Sequence, residues 1–186
     1  MKEKKLDRRV KYTLHALKEA MIELLQENHI TKISVVSLCE LADVNRSTFY
    51  THFYDQYDLL QFITKEALDN IQVYLEDLRY DEDAELSAEV LEQTLDYVKE
   101  NADVFKALLS DNCDPDIHHK IMRMTEIISI DNYQNLDDRV RDYVMLFQIN
   151  GSISILHKWL QDDTPESTKE ISELLLHLVG EVEKLR

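Results

Sequence analysis

Apolar residues recur at helical spacing along almost the whole chain. Val10, Leu14, Leu17, Met21 and Leu24 follow one another at steps of four and three, which predicts a first helix over residues 7–28. Asn28 and His29 are placed to close it. Ser34 stands where an N-cap belongs for a second, short helix reaching residue 42, whose apolar side is Val35, Val36, Leu38 and Cys39. A polar turn follows at Asp43 and Val44, with Val44 as the apolar plug between helices, and Asn45 is placed to cap a third helix within residues 44–53. Phe49 and Phe53, four apart, share one face of that helix, while Arg46, Ser47, Thr48, Tyr50, Thr51 and His52 fill the rest with hydrogen-bonding groups. Two short helices around a tight turn predict a helix-turn-helix. A helix with one apolar seam and a polar outer face suits the major groove of DNA.

Beyond it, Asp55 is placed to cap a fourth helix ending near Arg79, with Tyr57 or Leu59, Leu60, Ile63, Ala67, Ile71, Tyr74 and Leu78 along its buried side. At 1.5 Å per residue it spans roughly 35 Å, enough to join a head to a body. Residues 80–85 (YDEDAE) read as an acidic loop. Helices are predicted from residue 86 or 87 to 100 and from 101 or 102 to 110, then a loop over 111–115. Pro115 suits the first turn of a helix reaching residue 130, followed by a loop over 131–136. The last two helices, 137–161 and 165–185, are the most apolar, and their apolar residues cover more than one face. One face packs inward, and the excess is covered most simply by self-association through these two helices into a homodimer. Gly151, mid-helix, costs about 1 kcal/mol relative to Ala, which close approach of another backbone would offset.

Composition agrees with this pattern. With 2 Gly and 2 Pro among 186 residues, few turns are available and helices dominate. The expectation is an all-α protein with an N-terminal three-helix helix-turn-helix head over residues 1–54 and a C-terminal helical ligand-binding and dimerisation bundle over 55–186.

Charge sharpens the division. The net charge is −16, yet residues 1–57 hold 9 Lys+Arg against 8 Asp+Glu, and residues 58–186 hold 12 against 29. Lys2, Lys4, Lys5, Arg8, Arg9 and Lys11 form a basic arm. A basic arm and near-neutral head on an acidic body fit DNA binding confined to one end. The longest uncharged run, residues 143–156, is 14 residues and includes Gln148 and Asn150, whereas a spanning helix needs about 20 apolar residues. With no secretory signal pattern, the expectation is a cytoplasmic protein without membrane contact.

Other chemistry is sparse. Cys39 and Cys113 make no disulfide framework, and Cys39 sits on an apolar pattern as a small buried group. Cys113, Asp114, Asp116, His118 and His119 lie close in sequence, but adjacent helical histidines point about 100° apart and rarely share one ion, so no metal is expected. No Ser-His-Asp order, Gly-rich phosphate loop or HExxH spacing occurs, so neither an enzyme nor a cofactor is expected. Tyr97, Phe105, Met122, Tyr143 and Phe147 are candidates to line a cavity for a small-molecule effector, although such a stripe is more often plain core. A body that binds a protein partner instead stays open.

The run ISVVSLCELADVNRSTFYTHFYDQYDLL, residues 33–60, resembles the DNA-binding head of the TetR family of transcriptional regulators. The resemblance rests on the apolar helix 35–41, Ala42-x-Val44, Thr48-Phe49-Tyr50, His52-Phe53 and Leu59-Leu60. It implies a homodimer, most simply a ligand-responsive repressor, on a double-stranded palindromic operator. It implies that Arg46, Ser47 and Thr51 face base edges, and that Thr48, Tyr50 and His52 hold the backbone. Lys32 and Ser34 at the start of the second helix, and Gln56 at the start of the fourth, would add phosphate contacts, with the basic arm reaching the adjacent backbone or minor groove. An Arg at position 46 is suited to a bidentate guanine contact, worth about 1–3 kcal/mol of discrimination. The family usually has Gly where Asp43 stands and Lys near Gln56. The expectation is therefore DNA binding weaker, or more dependent on the arm, than is usual in the family.

Overall fold

The computed structural model describes residues 8–79, 88–117, 119–121 and 137–183, and among them every regular element is helical. Helix α1 (Arg8–Glu27) is followed by a short 3-10 turn at Ile30–Lys32, then α2 (Val35–Leu41), α3 (Arg46–Phe49) and α4 (Gln56–Arg79). The body continues with α5 (Ala88–Glu100), α6 (Ala102–Leu109), a short helical stretch at 115–117 and 119–121, α7 (Asp138–Gln161) and α8 (Thr168–Glu183). The predicted loops over 80–85 and 131–136, the far part of the predicted helix over 115–130, and the arm residues before Arg8 lie outside the described residues.

The head is pinned by one face of α1. Leu17, Met21 and Leu25 are fully buried four residues apart, and Leu14 and Leu24 pack partly against the same core. Helix α1 packs on α2, on α4 and on α6. Leu59, Leu60 and Ile63 on α4 are fully buried, and Ala67 nearly so. One continuous apolar core runs from Leu17 through Phe49, Ile63, Leu95 and Leu108 to Trp159 and Leu175. In the body α5 lies along α8, and α6 along α7.

Caps set the element ends. Ser34 caps α2, its Oγ accepting from the Ser37 amide at 3.1 Å while the Ser37 hydroxyl accepts from the Ser34 amide at 3.0 Å. Asp55 caps α4 through the Asp58 amide at 2.9 Å, and Asp58 reaches back to the Tyr54 amide at 2.9 Å. The final helix departs from expectation. It starts at Thr168, not near Pro165, because Ser167 and Glu170 form a capping box: the Ser167 Oγ accepts from the Glu170 amide at 3.2 Å and the Glu170 carboxylate accepts from the Ser167 amide at 2.8 Å. Residues 163 and 164 before it close α7 instead.

Two helix ends use aspartate where glycine is the usual choice. Asp43 follows α2 with φ 50°, the Val44 amide bonding to the Cys39 carbonyl at 3.0 Å and the Asp43 amide to the Glu40 carbonyl at 3.4 Å. Asp163 follows α7 with φ 60°, the Thr164 amide bonding to the Trp159 carbonyl at 2.9 Å and the Asp163 amide to the Leu160 carbonyl at 3.1 Å. Both are Schellman closures, and a short polar side chain tolerates the left-handed position better than most. This is how a chain with 2 Gly ends these helices. Gly151 stands inside α7, and none of the described atoms beyond its own helix and chain neighbours comes within 4 Å of where its Cβ would be. The close backbone approach expected there is not made within the described part of one chain.

Candidate nucleic-acid interface

The third helix is short. Its α-helical part covers Arg46–Phe49, and Tyr50, Thr51 and His52 lie in the turn that follows, closed by the Phe53 amide on the Phe49 carbonyl at 3.0 Å. Asn45 caps it, its Oδ1 accepting from the Ser47 amide at 2.9 Å. Phe49 is fully buried and Phe53 nearly so, their ring centroids 5.7 Å apart, and Phe53 in turn meets Phe62 of α4 at 5.5 Å. These rings fix the short helix to the head core and to α4 together.

Above that anchor the polar residues point outward. Arg46, Ser47, Tyr50 and Thr51 are exposed, Thr48 and His52 half-buried. Lys32 and Ser34 are exposed at the entry to α2, and Gln56 is half-buried in the first turn of α4. Tyr50 packs edge-on against Phe49 at 5.6 Å, which holds its ring beside α3. Burial pushes the Cys39 thiol up, and the Arg46 guanidinium partly counters this, so its positive charge is felt at α2.

Hydrogen bonds decide what each hydroxyl has left to give. Ser47 Oγ donates to Asn45 Oδ1 at 2.8 Å, and Thr51 Oγ1 donates to the Thr48 carbonyl at 2.6 Å. Their protons are committed to the protein, so both present lone pairs outward, and Thr51 adds a methyl group. Ser34 is engaged on both sides by Ser37. Arg46, Lys32 and Tyr50 carry donors not committed in this way. Reading residues by type alone missed this division.

Of the five residues predicted to line an effector cavity, four are described, and Tyr97 and Phe105 meet while Tyr143 and Phe147 lie exposed on α7. Tyr97 meets Phe105 edge-on at 5.9 Å and Tyr74 at 5.9 Å, and its hydroxyl accepts from Asn70 at 3.0 Å. Phe105 is buried in the core. Tyr143 and Phe147, in contrast, are exposed on α7, by 63% and 69%. Met122 lies outside the described residues. An open groove of about 740 Å³ runs between α1 and the joint of α5 and α6, carrying His15, Glu23, Lys99 and Asp103 and none of those five. Cys113 is buried, which pushes its thiol up to about 11, so it stays protonated at neutral pH. Among the described residues no helix is long and apolar enough to cross a membrane.

A capped, aromatic-anchored short helix with an exposed polar face, carried on an all-helical body, defines a helix-turn-helix transcriptional regulator. Comparison with known proteins makes this specific. Residues 85–180 match the family model described as the TetR-type "Transcriptional regulator C-terminal region", and the chain belongs to the TetR family of transcriptional regulators. It is similar to a TetR transcriptional regulator from Streptococcus agalactiae 2603V, with 26% identity, coverage of 93% of this chain and 96% of that one, and a TM-score of 0.64. It has the fold of FadR from Bacillus subtilis, solved in complex with stearoyl-CoA, at 19% identity, coverage of 89% and 96%, and a TM-score of 0.59. It is also similar to the HTH-type transcriptional regulator YxbF of Bacillus subtilis (strain 168), 20% identical over 171 residues. That alignment takes in 89% of this chain, which spans only 44% of the length of that relative.

Proposed function

We propose that the chain is a ligand-responsive repressor that acts as a homodimer on a palindromic operator, with a head ending near residue 54 and the rest as body. The observation that carries the reading is the exposed polar face of α3 above the buried Phe49–Phe53 pair. Arg46 is assigned to guanine through two parallel donors. Ser47 and Thr51, whose protons are committed, are assigned as acceptors, Thr51 also offering its methyl to thymine. Tyr50 and Lys32 are assigned to phosphates, where a donor positions the head without reading sequence. Thr48, His52, Ser34 and Gln56 complete the backbone contacts.

The dimer is assigned to α7 and α8. Val140, Tyr143, Leu146 and Phe147 on α7, and Leu174 and Leu178 on α8, are large apolar residues each exposed by 43% or more. Such a patch is uncommon on a free monomer, and a second copy of the two helices has the matching surface. Tyr143 and Phe147 are therefore reassigned from cavity to interface, and the open space at Gly151 is the place where a partner helix comes close. An effector bound in the body would then change the spacing of the two heads by preferring one of two dimer states.

Binding to DNA from upstream of the chain's own gene, measured over a salt series, tests this. Lys32→Ala should weaken operator and scrambled DNA alike and flatten the salt slope by about 1, whereas Arg46→Ala should act on the operator alone. Equal wild-type affinity for operator and scrambled DNA would refute the assignment.

A further inference from the structure

One residue of the body completes the end of a helix in the head. Near the C-terminus of α1 the Leu24 carbonyl is taken by the Asn28 amide at 2.9 Å and by Asn28 Nδ2 at 3.2 Å. The next two carbonyls are met from elsewhere. Asn112 Nδ2, from the loop after α6, donates to the Leu25 carbonyl at 3.0 Å, with a longer approach to the Gln26 carbonyl at 3.5 Å. The Asn112 carbonyl in turn accepts from the Ile30 amide at 2.9 Å, at the start of the 3-10 turn that leads into α2. A C-cap normally comes from the residues just past the helix. Here it comes from 87 residues further along the chain.

The loop that presents Asn112 is itself held fast. Ser110 donates its hydroxyl to the Ala107 carbonyl at 2.8 Å, and the Cys113 amide bonds to the Ser110 carbonyl at 3.1 Å. Leu108, Cys113 and Ile117 are buried on either side of it. The contact partners are equally fixed, for Leu25 and Ile30 are both buried. Farther along α6, Lys106 pairs with Asp163 at 2.7 Å, in the turn between α7 and α8. A single eight-residue helix is thus tied to the turn between the proposed dimer helices and, through the loop after it, to the start of the helix-turn-helix.

We propose that Asn112 is a latch between head and body: it holds the end of α1 and the entry to α2 in register with α6, so that the orientation of the recognition helix follows the position of α6. This rests on the DNA-reading role proposed above. Without the latch the apolar core that Leu17, Leu38 and Phe49 share with the body remains, but the polar register of α1 and α2 against α6 is lost. The head then samples more orientations, and the two heads of a dimer fit an operator of fixed spacing less often. Apparent affinity is the intrinsic affinity multiplied by the fraction of molecules in the competent arrangement.

Full-length chains carrying spin labels at Glu40→Cys and Lys169→Cys, both exposed, are diluted into unlabelled chain so that only the head-to-body distance within one chain is read. The comparison is between the native residue, Asn112→Ala, and Asn112→Asp, which keeps the size but turns an acceptor toward two carbonyls. Both variants should fold with native helix content, at least double the width of the distance distribution, and lose about tenfold in operator affinity with scrambled-DNA affinity unchanged. Asn112→Asp should be the more severe. A distribution as narrow as wild type in both variants would overturn the latch whatever the DNA affinity. Broadening with unchanged operator affinity would overturn its control over DNA binding. A wild-type chain with no operator preference would instead overturn the DNA-reading role itself, and the distance data, which need no DNA, tell that failure from this one.

Discussion

Asp43 separates the two things a residue in the recognition turn does, which are to fit the backbone and to face DNA. It holds a left-handed φ of 50° and is exposed. An L-residue there costs about 1–2 kcal/mol, with aspartate at the low end. Glycine removes that strain but frees the unfolded chain, which costs back about 0.4–1 kcal/mol. Asp43→Gly is therefore expected to gain between zero and about 1 kcal/mol, at most about 2–4 °C in Tm for a chain of this size. Asp43→Asn keeps the conformational tolerance and should leave Tm unchanged, whereas Asp43→Ala keeps the strain without a polar side chain and should lose about 1 kcal/mol. DNA binding follows a different order, because it senses charge. A carboxylate about 8 Å from a phosphate costs about 0.5 kcal/mol in water. All three variants should therefore bind about twofold more tightly per head at low salt, to any sequence, with the gain gone near 1 M salt, where the Debye length falls to about 3 Å. Thermal melts and DNA titrations at two salt concentrations read both orders. An alanine variant as stable as the glycine one would refute the strain argument. Asparagine and glycine variants that differ in DNA affinity more than about threefold would refute the charge argument, since they share the same charge.

Three further outcomes follow from the body. Phe147→Glu places a charge among the exposed apolar residues of α7 and should convert the proposed dimer to a monomer at micromolar concentration, read by light scattering, with helix content kept. Lys106 lowers the Asp163 carboxyl below its ordinary value, first through its hydrogen bond and then through its charge, so the stabilisation is present at neutral pH and fades as pH falls through that lowered value; the stability advantage of wild type over Lys106→Met should shrink on acidification, and an advantage that grows would contradict the pairing. Cys113, its thiol pushed up to about 11 by burial, should react with a thiol reagent at pH 8 only on unfolding, and prompt native labelling would contradict its placement.

The head was legible because its signals are local. Asn45 before Arg46, Phe49 four before Phe53, and Asp55 three before Asp58 each name a cap or an anchor within one helical turn, and all are found in those roles. The start of the last helix is equally local, since Ser167 and Glu170 spell a capping box, but the apolar periodicity that predicts a helix over 165–185 does not mark which residue caps it. The length of α3 was less legible, since Tyr50, Thr51 and His52 keep a helical spacing of side chains while their amides close a turn. The faces of α7 were not legible. Its apolar residues surround the helix, so periodicity does not tell which face a single chain buries, and Tyr143 and Phe147 lie on the exposed one. Asn112 carried no local signal at all. In sequence it is one polar residue of an Asp-Asn-Cys-Asp loop, and the partners of its side chain lie 86 and 87 residues away.

The central claim is that α3 reads sequence through Arg46. The direct measurement is the affinity of wild type and Arg46→Ala for operator and for scrambled DNA, side by side at one salt concentration. Wild type should clearly prefer the operator, and Arg46→Ala should lose about 1–3 kcal/mol, roughly 5- to 150-fold, confined to the operator. An Arg46→Ala chain that keeps the full operator preference would contradict it.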